Sequence, residues 1–203
     1  MSKPVLYGSS NSRAIRSIWA MEETGIDYDH VPTNFSEQSK EPAYLAINPN
    51  GRVPSLVDGD LTMCESMAIN LYLAKKYAPD LFPDNAEDEA RAMQWSVWGI
   101  SEIEPLQMRI VVQKFFVPDE KRNMKAIEGS EKGLQRPLAV LDAHLASQPF
   151  LLGAQFSIAD LNLSAVMMLL KQTKTDISAF ENVGKWMEAC YDRPACKRAR
   201  EKD

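Results

Sequence analysis

Strand-like and helix-like spacings share the first eighty residues of this chain, and past residue 79 the strand signals stop. Apolar residues repeat every second position on a strand and every three to four on a helix, so the two patterns separate by eye. "PVLYG" (4–8) is a short apolar run closed by glycine, the pattern of a buried strand. Ile15, Ile18, Trp19 and Met21 then repeat at helical spacing, and Gly25 supplies a stop. "IDYDHV" (26–31) predicts a second strand, parallel to the first if the helix between them is a crossover. A polar segment follows, with a short helix over "EPAYLAI". In "NPNGRVPSLVDGDLTMCES" (48–66), Asn-Pro-Asn-Gly and Asp-Gly-Asp flank "VPSLV" and "LTMC", which predicts a turn, a strand, a tight hairpin and another strand. "SMAINLYLAKKYA" (66–78) returns to helical spacing. The order β-α-β-α-β-β-α requires a mixed sheet with helices packed on it.

Beyond it, "APDLFPDNAEDEAR" holds two prolines and predicts a linker that opens a helix. Residues 87–116, 119–146, 157–171 and 179–191 all predict helices, separated by Pro, Gly or polar breaks. The expected division is an α/β domain over 1–79, a linker over 80–86 and an all-α domain over 87–203. In "FSIADL" (156–161), Ser157 precedes Asp160 by three residues, a capping box that starts the most apolar helix. Its expected role is structural.

Composition closes off several classes of function. Net charge is −5, so no broad cationic surface points to nucleic acid or an anionic membrane. "MSKPVLYGSS" is too short an apolar run for a signal peptide, and the longest apolar stretch, "LSAVMMLL" (163–170), is too short for a membrane span. Three cysteines without a CxxC spacing argue against a disulfide scaffold or a zinc site, and fit a reducing cytoplasm.

Two short stretches bear chemistry. Pro54 opens a strand where a ladder N–H is needed. One reading is an edge position with a trans bond, since only about 5–6% of X–Pro bonds are cis. The other is a cis turn that leaves the main chain of Val53 facing outward, free to pair with an extended peptide-like ligand. Glu65-Ser66 lies where a strand passes into a helix. Ser66 suits an N-cap, and a helix N-terminus with a hydroxyl also suits a carboxylate, while Glu65 suits an ammonium. An acid beside a capping serine matches the α-amino-acid end of a ligand.

These features together resemble the cytosolic glutathione transferase family over essentially the whole chain. "NPNGRVPSLVDGD" is similar to the family's N-P-x-x-x-[VI]-P-x-L motif and "ESMAINLYLAKKY" to its E-S-x-A-I-x-x-Y-L, after an LYG…R…R…E-G start. The resemblance implies an α/β thioredoxin-like N-terminal domain followed by an all-α C-terminal domain, glutathione as co-substrate, and a homodimer. It implies transfer of the glutathione thiolate to small apolar electrophiles. A glutathione-dependent isomerase, dehalogenase or peroxidase, and a non-catalytic glutathione-binding or interaction domain, are the alternatives. By resemblance, the main chain of Val53 before Pro54 pairs with the cysteinyl unit and Glu65 and Ser66 hold the γ-glutamyl end. Arg52 is the cation for a ligand carboxylate, and Gln38 and Ser39 are lower-ranked contacts for the glycyl end.

The thiol-activating donor is expected in "GSSNSR" (8–13). Aligned through Arg13 and Arg16 with the serine-using branches (theta-, delta- and zeta-like), the active serine falls at Ser9, with Ser10 next. Asn11 and Ser12 remain candidates, Ser12 also being suited to cap the first helix. Tyr7 is set aside because it lies inside the first strand. Trp98, Met108, Ile110 and Phe115 are candidate walls for the electrophile, though such stripes usually form core. The only histidines, His30 and His144, lie far from these motifs in sequence and are expected to be structural or surface residues.

Overall fold

A computed structural model of the chain describes residues 3–203. The molecule divides into two compact units. One runs to Pro83 and takes in Tyr191–Asp203; the other is Asp84–Cys190.

In the first unit, β1 (Val5–Tyr7), α1 (Ala14–Thr24), β2 (Asp29–Val31), α2 (Pro42–Leu45), β3 (Ser55–Asp58), β4 (Leu61–Cys64) and α3 (Ser66–Tyr77) follow in the expected order. The sheet order is β2-β1-β3-β4. β1 pairs parallel with β2, Leu6 opposite His30, and antiparallel with β3, Leu6 opposite Leu56. This is the mixed sheet of a thioredoxin-like domain. Leu6 and Leu56 are wholly buried, and α1 and α3 pack together, burying Ile18, Trp19, Ile69 and Leu73. α1 ends where Gly25 takes a left-handed φ of 66°, as its place after the apolar stripe predicts.

The second unit is helical: α4 (Ala86–Trp98), α5 (Glu104–Val111), α6 (Met124–Leu145), α7 (Ile158–Thr173) and α8 (Glu181–Tyr191, whose last residue joins the first unit). Wide π-type turns over Gly99–Ile103 and Val112–Phe116 make residues 86–116 one continuous helical run. Ile110, a candidate substrate wall, is wholly buried core, whereas Phe115 is exposed. Ser157 and Asp160 open α7 as anticipated: both the N–H and the hydroxyl of Ser157 donate to the Asp160 carboxylate at 2.9 and 2.8 Å. That carboxylate also accepts from the Leu151 N–H (2.8 Å) and the Trp186 indole N–H (2.9 Å). No helix among the described residues is long and apolar enough to cross a membrane.

One further helix, α9 (Pro194–Arg200), has no counterpart in the spacing pattern and packs on α1 within the first unit. Arg193 donates to both carboxylate oxygens of Glu23 at 2.6 and 2.8 Å, and Arg198 donates to Glu22 at 2.9 Å. Cys196 is buried there, and burial pushes its thiol up to about 11.

Candidate active site

The loop between β1 and α1 begins at Gly8, whose φ of +133° suits glycine. A Cβ built at Gly8 would lie 2.4 Å from the Cβ of Ala14 and 3.1 Å from that of Val53. So close an approach shows that the loop and the Val53-Pro54 segment lie side by side, 45 residues apart in sequence.

The four candidates in this loop differ in what their side chains already do. Ser12 is fully committed: its hydroxyl donates to the Ser9 carbonyl at 2.7 Å and accepts from the Ala14 N–H at 3.1 Å. It therefore caps α1 from one residue before the N-cap position, which Arg13 occupies. The helix starts at Ala14, one residue later than an N-cap at Ser12 would place it. Ser10 faces Asp203. Its N–H donates to that carboxylate at 3.1 and 3.3 Å, and its hydroxyl to the Asp203 carbonyl at 3.4 Å. Asn11 is exposed. The Ser9 side chain is half-buried and has no hydrogen-bond partner among the described residues. Its main chain is held: Gly8 N–H donates to Val31 O (3.0 Å) and Ser9 N–H to Thr33 O (3.2 Å).

The Val53-Pro54 bond is cis, the second of the two readings its sequence allowed. The N–H and C=O of Val53 have no partner among the described residues. The turn leading to it is pinned through the carbonyl of Arg52, which accepts from Tyr44 Oη (2.7 Å) and Asn48 Nδ2 (2.8 Å). Tyr44 also shares a hydrogen bond with Ser55 Oγ at 2.8 Å, and its ring meets that of Tyr7 edge-on at 6.0 Å. Neither Tyr44 nor Asn48 is marked by a motif as a site residue, although Asn48 begins the Asn-Pro-Asn-Gly turn. The Arg52 side chain is exposed. Gln38 accepts from the Asn34 N–H at 2.7 Å, and Ser39 is buried and donates to the Phe35 carbonyl at 2.7 Å.

Glu65 and Ser66 follow β4, where Cys64 lies opposite Ser55, so they sit beside the Val53-Pro54 turn. Here the structure corrects the capping assignment. Glu65, not Ser66, is the N-cap residue of α3, and no side chain caps that helix. Ser66 is the first helical residue, nearly buried, with no hydroxyl partner among the described residues. Glu65 is exposed at a left-handed φ of 72°, costly for a residue with a Cβ. Its carboxylate, the Ser66 hydroxyl and the uncapped first-turn N–H groups thus share one helix end.

His30 is the residue that sequence distance concealed. Its Nε2 lies 2.8 Å from the carbonyl oxygen of Gly8. His144 is structural as expected, bonded to the Leu151 carbonyl at 2.9 Å and tilted against the Trp95 ring at 4.8 Å. Among the described residues no cluster of His, Cys, Asp or Glu could hold a metal ion.

Residues 4–75 match the family model described as "Glutathione S-transferase, N-terminal domain", and residues 104–194 match "Glutathione S-transferase, C-terminal domain". The chain is 32% identical over 200 residues to Glutathione S-transferase 4 of Zea mays, covering 95% of this chain and 90% of that protein. Its fold is similar to a theta class glutathione S-transferase from Xanthomonas axonopodis pv. citri with glutathione bound, with a TM-score of 0.90 at 30% identity over 98% and 97% of the two chains. It is also similar to glutathione S-transferase I from Mais in complex with an atrazine glutathione conjugate, with a TM-score of 0.88 at 31% identity over 98% and 97%.

Proposed function

Because this chain belongs to the glutathione S-transferase family, we propose that Ser9 activates the glutathione thiol for attack on small apolar electrophiles. The enzyme is a transferase with glutathione as its co-substrate. The observation that carries the assignment to Ser9 is its uncommitted hydroxyl, set between a clamped backbone and a second serine whose hydroxyl is used up.

The energetics are sufficient without a base. A thiol of pKa about 8.5 is only a few per cent ionised at neutral pH, and the thiolate is the nucleophile. Lowering that pKa by about two units takes roughly 2.7 kcal/mol of preferential stabilisation of the anion. A hydrogen bond to a charged group contributes about 1.5–3 kcal/mol. The N-terminus of α1, which carries no acid in its first turn, adds about 0.3–1 kcal/mol. Ser9 donates as a neutral hydroxyl and keeps its proton.

Substrate placement follows from the groups left open. The N–H and C=O of Val53 before Pro54 pair with the cysteinyl unit as one further strand would. Glu65 takes the γ-glutamyl ammonium, and Ser66 with the first turn of α3 takes its carboxylate. Arg52 attracts the glycyl carboxylate, and Asn11 rims the loop. Ser10, turned toward Asp203, is the weaker donor.

The partner surface is supported by α4 and the wide turn that continues it, where Met93, Val97 and Ile100 recur at helical spacing and are 44%, 66% and 38% exposed. Such an unpartnered stripe suits a second copy of the chain, and the setting is cytoplasmic, as the cysteine usage suggests.

The experiment is direct. Ser9→Ala should lower kcat/KM for conjugation of chloronitrobenzene by about 10- to 150-fold, the rate equivalent of about 1.5–3 kcal/mol. The bound thiol pKa should rise while glutathione affinity stays nearly intact. A rise in Ser10→Ala instead would move the donor by one residue. Wild-type protein that binds glutathione without turning over electrophiles or peroxides would defeat the transferase reading.

A further inference from the structure

We propose that His30 is a positioning residue for thiol activation, holding the Gly8–Ser9 peptide so that the Ser9 hydroxyl points at the sulfur; this rests on Ser9 being the donor.

The chemistry of the contact settles its direction. A carbonyl oxygen only accepts, so at 2.8 Å Nε2 of His30 carries the proton and donates to Gly8 O. The same peptide group is held at its other end, where Ser9 N–H donates to Thr33 O at 3.2 Å. Thr33 is tied in turn through its hydroxyl to Val31 O at 3.0 Å. Both polar handles of one peptide plane are therefore fastened to β2 and the residues just after it. The two bonds are not equivalent. The Ser9–Thr33 bond and the neighbouring Gly8–Val31 bond are main-chain contacts that any residues in those conformations would make. The His30 bond depends on one side chain, projecting from the strand position opposite Leu6 to reach a carbonyl two residues further on, just past the end of β1.

This plane is where an anchor has consequences. Gly8 adopts φ +133°, a region that other residues rarely enter and in which its backbone has wide freedom. With the Ser9 hydroxyl lacking an internal partner, nothing in its own side-chain contacts fixes where it points. Its direction is inherited from the backbone, so rotation of the Gly8–Ser9 peptide swings the hydroxyl away from the sulfur. A misplacement of about 1 Å can cost on the order of a hundredfold in rate.

The test uses the full-length chain with glutathione and chloronitrobenzene. His30→Leu removes the donor at similar bulk, and His30→Gln retains an amide N–H at similar reach. Kinetics, bound-thiol pKa from thiolate absorbance, and thermal unfolding are read for each. His30→Leu should lower kcat about tenfold and raise the bound thiol pKa, with the KM for glutathione changed less than about twofold. His30→Gln should recover most of the loss. In the Ser9→Ala background, His30→Leu should have almost no further effect on kcat, because its influence passes through Ser9. Should His30→Leu fail to fold, His30→Asn, whose amide falls short of Gly8 O, replaces it with the same expectation. The proposal is overturned if only thermal stability falls, if Gln is as impaired as Leu, or if the full loss persists without Ser9. If Ser9→Ala itself leaves thiol pKa and rate unchanged, the donor assignment fails first and is identified as the failure.

Discussion

Two helix starts in this molecule are built around serine, and they use it in opposite ways. At the head of α7, Ser157 gives both its N–H and its hydroxyl to Asp160, whose carboxylate also takes Leu151 and Trp186. Every strong group there is answered from within the unit. Ahead of α1, Ser12 is answered on both sides, while Ser9, three residues earlier, has a fixed backbone and an open hydroxyl. Internal satisfaction marks a serine that holds a fold; an open hydroxyl on a rigid backbone marks one available to a ligand.

The sharpest way to break this comparison is Asp160→Ala, which orphans buried donors on three residues at once. Each buried group left unsatisfied costs about 1–3 kcal/mol, so the loss should be about 3 kcal/mol or more. For a chain of this size that lowers the melting temperature by roughly 6–12 °C. A thermal scan with a drop below about 3 °C would show that α7 does not depend on the arrangement.

Next in size is Gly8→Ala. The added methyl would meet Ala14 Cβ at 2.4 Å in a conformation unfavourable to alanine. The expected cost is about 1–3 kcal/mol, accompanied by lost conjugation as Ser9 is displaced. Full activity in this variant would mean that the backbone ahead of Ser9 is not the constraint described.

A carboxylate in the first unit tests whether internal satisfaction is particular to the helical unit. Asp58 Oδ2 accepts from Tyr72 Oη (2.7 Å), Lys76 Nζ (2.8 Å) and Tyr77 Oη (2.7 Å). Burial pushes the Asp58 carboxyl up, but Lys76, Tyr72 and Tyr77 outweigh it and hold it below the ordinary value. A depressed folded pKa means the stabilisation is present above the unfolded value, about 3.9, and is lost as pH falls through the folded one. Urea unfolding of Asp58→Asn should therefore show a shallower loss of stability below about pH 4 than wild type. Parallel acid limbs would remove Asp58 from the account.

The smallest effects are the most specific. Ser12→Ala should cost about 1 kcal/mol of stability, as a lost cap does. Ser9→Ala should change stability by less than about 0.5 kcal/mol, because no internal bond is broken. Denaturant titrations showing the reverse order would exchange the two roles.

Much of this was legible beforehand because the signals were local. "VLYG", "VPSLVDGD" and "LTMC" became β1, β3 and β4, since alternation and the Asp-Gly turn act over a few residues. The capping box at Ser157 was readable for the same reason. Helix starts were less so: Ser12 and Ser66 both suit an N-cap, yet Arg13 and Glu65 occupy those positions. Capping preference names residue types, and the approach of the chain selects among neighbours. The open main chain of Val53 could be framed only as one of two readings, because proline permits both.

The sequence by itself determined the order of elements, the helical character of the second unit and the short list of groups that could meet glutathione. Tertiary structure decided which serine of the loop "GSSNSR" keeps a free hydroxyl, that His30 reaches Gly8, and that α9 returns to α1 through Glu22 and Glu23. The reason is physical: local propensity acts through neighbours a few residues apart. Contacts across 22 or 170 residues exist only once the whole unit has closed around them.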